Sequence, residues 1–200
     1  MKKILIAAAV GMLVAGHVAA QESPWLVRAR VVNLQMANDT TGTVNALDVN
    51  VNDKTIPEVD ITYFINKNVA AELILTVPQS QTVYAGSASL GTFKHLPPTL
   101  TLQYHFTDLG AYKPYVGAGL NYTKISGVDL KNGSTVLQLD SHSYGAALQA
   151  GVDIPLDKQW SLNFDVKKVY IKTDVYAAGA SLGTLKLDPV LVGVGVGYRF

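Results

Sequence analysis

The chain has 200 residues, a formal net charge of +1, 16% charged and 48% hydrophobic side chains, and no cysteine. That length suits one or two domains. The low charge and high hydrophobicity argue against disorder, and the lack of a basic excess argues against nucleic acid as a partner. Without cysteine, disulfide scaffolds, thiolate metal sites and thiol catalysis are excluded.

The first element in chain order is a targeting segment. Lys2 and Lys3 precede an apolar run from Ile4 to Val14, and small residues at Val18-Ala19-Ala20 come before Gln21. A spanning helix needs about 20 apolar residues, so the pattern predicts a secretory leader over 1–20 and a mature domain over 21–200. Removing the leader takes the formal charge from +1 to −1.

Beyond it, helical periodicity is weak and period-two alternation recurs. From Thr99 to Phe106, Leu100, Leu102, Tyr104 and Phe106 share one face, and Thr99, Thr101, Gln103 and His105 the other. Eight such segments are expected, near 25–33, 56–65, 69–77, 98–106, 114–123, 142–153, 160–172 and 189–200. Each has about the length of a tilted strand that crosses a bilayer. The connections alternate between long (near 34–55, 78–97, 124–141 and 173–188) and short (66–68, 107–113 and 154–159). This is the pattern of an all-β, eight-stranded antiparallel transmembrane β-barrel of the outer-membrane type, with short periplasmic turns and long external loops. Both termini then lie in the periplasm. Aromatic girdles fit the same frame: Trp25, Tyr63, Phe106, Trp160, Tyr198 and Phe200 fall on the apolar face at periplasmic strand ends, and Tyr122 and Tyr144 at external ends. The phased ending Val194, Val196, Tyr198, Phe200 resembles the signal by which outer-membrane barrels reach their assembly machinery.

Three stretches narrow the choice: His95-Leu96-Pro97-Pro98-Thr99-Leu100, Pro114-Tyr115-Val116-Gly117-Ala118-Gly119-Leu120-Asn121-Tyr122-Thr123, and Leu187-Asp188-Pro189 leading to Gly197-Tyr198-Arg199-Phe200. With weaker similarity at Ala71–Ile74 and Tyr144–Asp153, the chain resembles the OmpW family of outer-membrane proteins. That resemblance implies a narrow, largely apolar lumen that admits small hydrophobic molecules and releases them sideways into the membrane. It also implies apolar closure of the lumen base. Ile74 suits that, but Lys167 stands where an apolar residue is expected.

Strand parity assigns the lumen directly. Its charged residues are Arg28, Arg30, Glu58, Asp60, Glu72, Asp153, Asp165, Lys167 and Arg199, and most fall in the lower half. Buried charges need partners, so a charged floor built on Arg28, Arg30, Asp60, Glu72, Asp165, Lys167 and Arg199 is expected. Above it lies an apolar cup of Val32, Ile74, Thr76, Thr99 and Leu191. Val169 and Ile171 join the cup only if Lys168 faces lipid, a cost that a bulge would remove. Pro57, Pro78, Pro97, Pro98 and Pro189 are placed at external strand ends, where the missing N–H weakens pairing and opens a gap between strands. Val83–Thr92 and Val175–Thr184 resemble each other, as a four-plus-four duplication leaves behind.

Other signals fall away. Gly193, Gly195 and Gly197 do not lead into a helix, so they are no dinucleotide fingerprint and instead give a crowded lumen room. The histidines lack ligand spacing. In Ser141-His142-Ser143, neighbours along a strand point to opposite faces, so His142 is not expected to meet either serine. No catalytic residue, metal or cofactor is expected. The expected partners are small hydrophobic molecules and outer-membrane lipid, with passive uptake through the cup and lateral release. The alternative is a closed structural barrel whose external loops bind partners.

Overall fold

The computed structural model describes residues 23–200, so the leader expected over 1–20 lies outside the described residues. In chain order the strands are β1 (Trp25–Gln35), β2 (Asp39–Thr40), β3 (Val49–Val51), β4 (Lys54–Phe64), β5 (Val69–Thr76), β6 (Gln79–Ala85), β7 (Ala88–Leu96), β8 (Thr99–His105), β9 (Lys113–Asn132), β10 (Thr135–Leu139), β11 (His142–Pro155), β12 (Trp160–Val169), β13 (Lys172–Ala177), β14 (Ala180–Lys186) and β15 (Val190–Arg199). A short 3₁₀ helix, Gly42–Leu47, joins β2 to β3.

Eight of these close a ring in the order β1-β4-β5-β8-β9-β11-β12-β15, with β15 returning to β1 from Leu26↔Arg199 to Gln35↔Val190. Each of the eight expected segments falls on one of these strands. The alternation works inside out compared with a soluble barrel. Leu102 and Leu120 on the wall are 57% and 75% exposed, while Arg28 and Glu72 inside are 0% exposed. An outer face of this kind is stable only against lipid. Aromatic rings pair at both rims: Trp25 with Tyr63 at 4.8 Å and Trp160 with Tyr198 at 5.0 Å at the short-turn end, Tyr122 with Tyr144 at 5.2 Å at the other. Two short turns are tied by carboxamide or carboxylate oxygens. Asn66 Oδ1 accepts from the Asn68 and Val69 N–H groups, and Asp157 Oδ1 from those of Gln159 and Trp160. Those backbone bonds hold the Asp157 carboxyl below its ordinary range.

The long connections depart from expectation: they are strands, not loops. They pair in the order β3-β6-β7-β9-β10-β13-β14-β2 and form a second tier above the membrane wall. Their partners lie far apart in the chain, so short-range alternation does not reveal them. Within the tier, β6–β7 and β13–β14 are equivalent hairpins, and each shifts register at the same place, Val83/Tyr84 and Val175/Tyr176. The repeated sequence is thus a repeated structure. Prolines mark the seam between the tiers: Pro78 separates β5 from β6, Pro97-Pro98 separate β7 from β8, and Pro189 separates β14 from β15. Pro57 is the exception. β4 starts at Lys54, so Pro57 lies within it, opposite Val31.

No bulge occurs between β12 and its partners, whose registers are continuous. Val169 and Ile171 are buried nonetheless. Lys168 faces outward but reaches up to donate to the Asp188 carbonyl at the long-loop rim, so its charge leaves the apolar belt.

Candidate ligand cup and charged floor

Register sets the floor. Arg28 and Arg30 stand opposite Gly197 and Gly195 on β15 and opposite Asp60 and Glu58 on β4. Glycine leaves the lumen open on one side of each guanidinium, and a carboxylate waits on the other. Arg28 reaches Asp153 through Nε and Nη2, at 3.1 and 2.6 Å, and its Nη1 donates to Glu72 and Thr62, both at 2.9 Å. Arg30 pairs with Asp60 at 2.6 Å and Glu58 at 3.1 Å, and donates to Asn163 Oδ1 at 2.7 Å. Lys167 pairs with Glu58 and, at 2.9 Å, with Asp165. The Tyr115 hydroxyl donates to Asp165 at 2.7 Å, and the Gln103 and Gln149 amides donate to Glu72. The sequence-predicted residues Arg28, Arg30, Asp60, Glu72, Asp165 and Lys167 thus meet in one buried network. Arg199 sits lower, at the short-turn rim, where its Nε donates to the Ser23 carbonyl and its guanidinium lies over the Phe64 ring at 4.3 Å. Below the network opens a cavity of about 290 Å³, bordered by Leu26, His105, Asp153 and Arg199 among others.

The neutral members of the network carry no charge to mark them in the sequence, although Tyr115, Gln149 and Asn163 have the right parity. Tyr115 is the least expected, since a large ring crowds so narrow a lumen. Gly151 makes the space: a Cβ there would stand 2.4 Å from the Tyr115 ring.

Above the network is the cup. A cavity of about 20 Å³ is lined by Leu34, Ile56, Ile74, Thr76, His95, Pro97, Thr99, Val169, Ile171, Pro189 and Leu191, with Glu58 and Lys167 at its base. Ile74, Thr76, Thr99 and Leu191 thus line one cavity. Val32 is buried in the same apolar cluster. Leu34 follows from parity once β1 is given its full length, and Ile56 has lumen parity within 56–65 already. The apolar cluster continues upward through Val83, Phe93, Ile125, Leu137 and Leu185, so the mouth of the cup is roofed by the upper tier. On one side the wall is incomplete. The β5–β8 ladder ends at Ile74↔Thr99 and the β6–β7 ladder starts at Gln79↔His95. Residues 75–78 and 96–98 between them join neither ladder, and Thr76, Pro97 and Thr99 of this seam face the cavity.

One expectation about the surface is corrected. Ser141 Oγ lies 2.8 Å from His142 Nδ1. Ser141 precedes β11, so strand parity does not separate the two side chains.

The family model described as the OmpW family matches residues 21–200. The chain belongs to the OmpW family. Among curated relatives, the uncharacterised outer-membrane protein y4mB of Sinorhizobium fredii is 46% identical, over 92% of this chain and 82% of that protein. Outer membrane protein W of Vibrio cholerae is 32% identical, over 90% of each. The dibenzothiophene metabolism operon protein DoxH of Pseudomonas sp. is 29% identical, over 90% of each. The crystal structure of OprG from Pseudomonas aeruginosa shares the fold with a TM-score of 0.76 at 24% identity, over 90% of this chain and 97% of that one. This OmpW-family chain is therefore a bacterial outer-membrane β-barrel, and its relatives are outer-membrane barrel proteins.

Proposed function

We propose that the chain is a passive route for small hydrophobic molecules across the outer membrane. A solute passes the upper tier, occupies the cup, and leaves sideways at the seam between β5–β6 and β7–β8. The observation that carries this reading is the position of the cup. It rests on a buried ion network that blocks the straight path, and it touches a stretch of wall, 75–78 against 96–98, where two ladders stop. Pro78, Pro97 and Pro98 have no N–H with which to close that gap. The cavity as it stands, about 20 Å³, is smaller than such a solute, so the cup side chains must part to admit it, which suits weak, reversible capture without an energy source. The name of DoxH, which ties that protein to the metabolism of an apolar aromatic compound, favours the same reading. In this orientation the short turns and both chain ends face the periplasm, and the ending at Phe200 serves the assembly machinery.

The test is partition of a labelled alkane into the bilayer of proteoliposomes. Filling the cup with Ile74→Trp and Leu191→Trp is expected to abolish the protein-dependent flux. Flux that survives both substitutions, yet is lost when β6–β7 is deleted, would place the function in the external tier instead.

A further inference from the structure

The polar groups on the cup wall are occupied, with one exception. The Thr76 hydroxyl donates to the Pro57 carbonyl at 2.8 Å, the Thr99 hydroxyl to the Pro97 carbonyl at 3.2 Å, and Glu58 and Lys167 are paired to each other. His95 differs. It is 1% exposed, it borders the cavity, and its Nδ1 has no hydrogen-bond partner among the described residues. Its Nε2 faces the Gln81 side-chain nitrogen at 3.3 Å, and Gln81 Oε1 is also buried without a partner.

The chemistry of this pair is restrictive. An amide nitrogen only donates, so Nε2 accepts from Gln81 and Nδ1 carries the proton. Nδ1 is then a donor with no acceptor. If the amide is turned over, Nε2 donates to the amide oxygen and Nδ1 becomes an acceptor with no donor. In both arrangements the imidazole keeps one unused hydrogen-bonding atom, on a residue that borders an apolar cavity. Burial and the nearby Lys54 ammonium push the ring down to about 4, so it is neutral near pH 7. Buried polar groups are nearly always paired in folded proteins, so this atom calls for a partner.

We propose that His95 is the specificity-determining residue of the cup, selecting small apolar molecules that carry a single hydroxyl over bare hydrocarbons of the same shape. A hydroxyl both donates and accepts, so it serves either arrangement of the pair. A carboxylate would meet a neutral imidazole and a Lys167 ammonium already paired with Glu58 and Asp165 at the base, so little offsets its desolvation. Phenols and short alcohols have the right chemistry: one oxygen for Nδ1, and an apolar body for Ile74, Val169 and Leu191, which must part to admit it because the cavity as it stands is about 20 Å³. This inference rests on the uptake reading above and names the class of solute that it favours.

The experiment compares phenol with toluene, which match in shape and differ in the hydroxyl. The ¹⁵N-histidine-labelled barrel is placed in phospholipid nanodiscs, and the His95 ring resonances are assigned through His95→Asn. Phenol is expected to shift the Nδ1 resonance and to bind at least about fivefold more tightly than toluene, the gain of one net hydrogen bond. His95→Leu is expected to erase the preference. If that variant does not fold, Gln81→Leu replaces it: the imidazole loses its anchor and the preference shrinks. Equal binding of the two solutes, with contacts to the Ile74 and Leu191 methyl groups, would overturn the hydroxyl selection and leave the uptake reading standing. An Nδ1 resonance coupled only to water, unmoved by phenol, would show a bound water and overturn it as well. Contacts from neither solute to those methyl groups would overturn both readings together.

Discussion

Arg28 shows how the floor is held at the level of single residues. Its guanidinium is fully buried and makes hydrogen bonds to Asp153, Glu72 and Thr62 at once. The planar fork matches that geometry and an ammonium does not. Removing one partner of a buried ion pair leaves an uncompensated charge, a loss of about 3–5 kcal/mol. Arg28→Ala takes the cation from Asp153 and leaves Glu72 only the longer Arg30 contact at 3.5 Å, so it is expected to lie in that range by urea unfolding in phospholipid vesicles. Thr62→Ala removes one neutral partner and is expected to cost about 1 kcal/mol in the same assay. Similar losses for the two variants would mean that the network is wet and its charges screened. The alternating pattern made the charged members of this network legible, because in a strand of known face each Asp, Glu, Arg or Lys has only lumen or lipid to choose from. His95 was not legible in the same way. It belongs to β7, a segment that looks like loop in the sequence, and its open Nδ1 depends on Gln81 across the hairpin.

Elements were legible where one face meets lipid. Val190–Phe200 and Thr99–Phe106 alternate cleanly because the bilayer rewards it. The upper tier has water on one side and Val44, Phe93 and Leu185 on the other, and its strands are short and broken by glycine. Its hairpins are therefore visible only as a sequence repeat. That repeat carries a testable geometry. Gly91 and Gly183 occupy equivalent positions with φ of 125° and 132°. A Cβ at Gly91 would fall 1.9 Å from the Asp129 carbonyl oxygen, and one at Gly183 would fall 2.0 Å from that of Thr41. Both glycines thus combine a conformation that side chains avoid with close approach of a neighbouring strand. Gly183→Ala is expected to detach β14 from β2 and expose Lys186 to trypsin, while the barrel keeps its heat-modifiable gel shift. Gly133→Ala, in the β9–β10 turn with nothing near its Cβ, shares the positive φ but not the close approach. It is expected to leave cleavage near the wild-type rate. Equal sensitivity of the two would trace the effect to backbone conformation rather than to packing between strands.

At the scale of the molecule, the two tiers divide the work between two solvents. The lower wall shows Leu100, Leu102, Leu148, Val166 and Val194 outward, all exposed in the isolated chain. Such a surface would aggregate in water, and lipid makes it the stable one. The upper tier also exposes an apolar side chain, Val136 on β10, yet lies beyond the seam that Pro78, Pro97 and Pro189 define. If that seam is the membrane boundary, a charge must cost differently on its two sides. Arginine on the lipid face near mid-bilayer costs about 2–4 kcal/mol and close to nothing near the interface. Leu102→Arg and Leu148→Arg are therefore expected to destabilise the folded barrel in vesicles by about 2–4 kcal/mol. Val136→Arg, equally exposed, is expected to change stability by less than about 0.5 kcal/mol. A large penalty at Val136 would raise the membrane to cover the upper tier and carry the seam into the hydrocarbon. A lateral gap there would then open onto lipid tails rather than onto the headgroup region. The position of one substitution thus fixes the depth at which a solute leaving the cup first meets the bilayer.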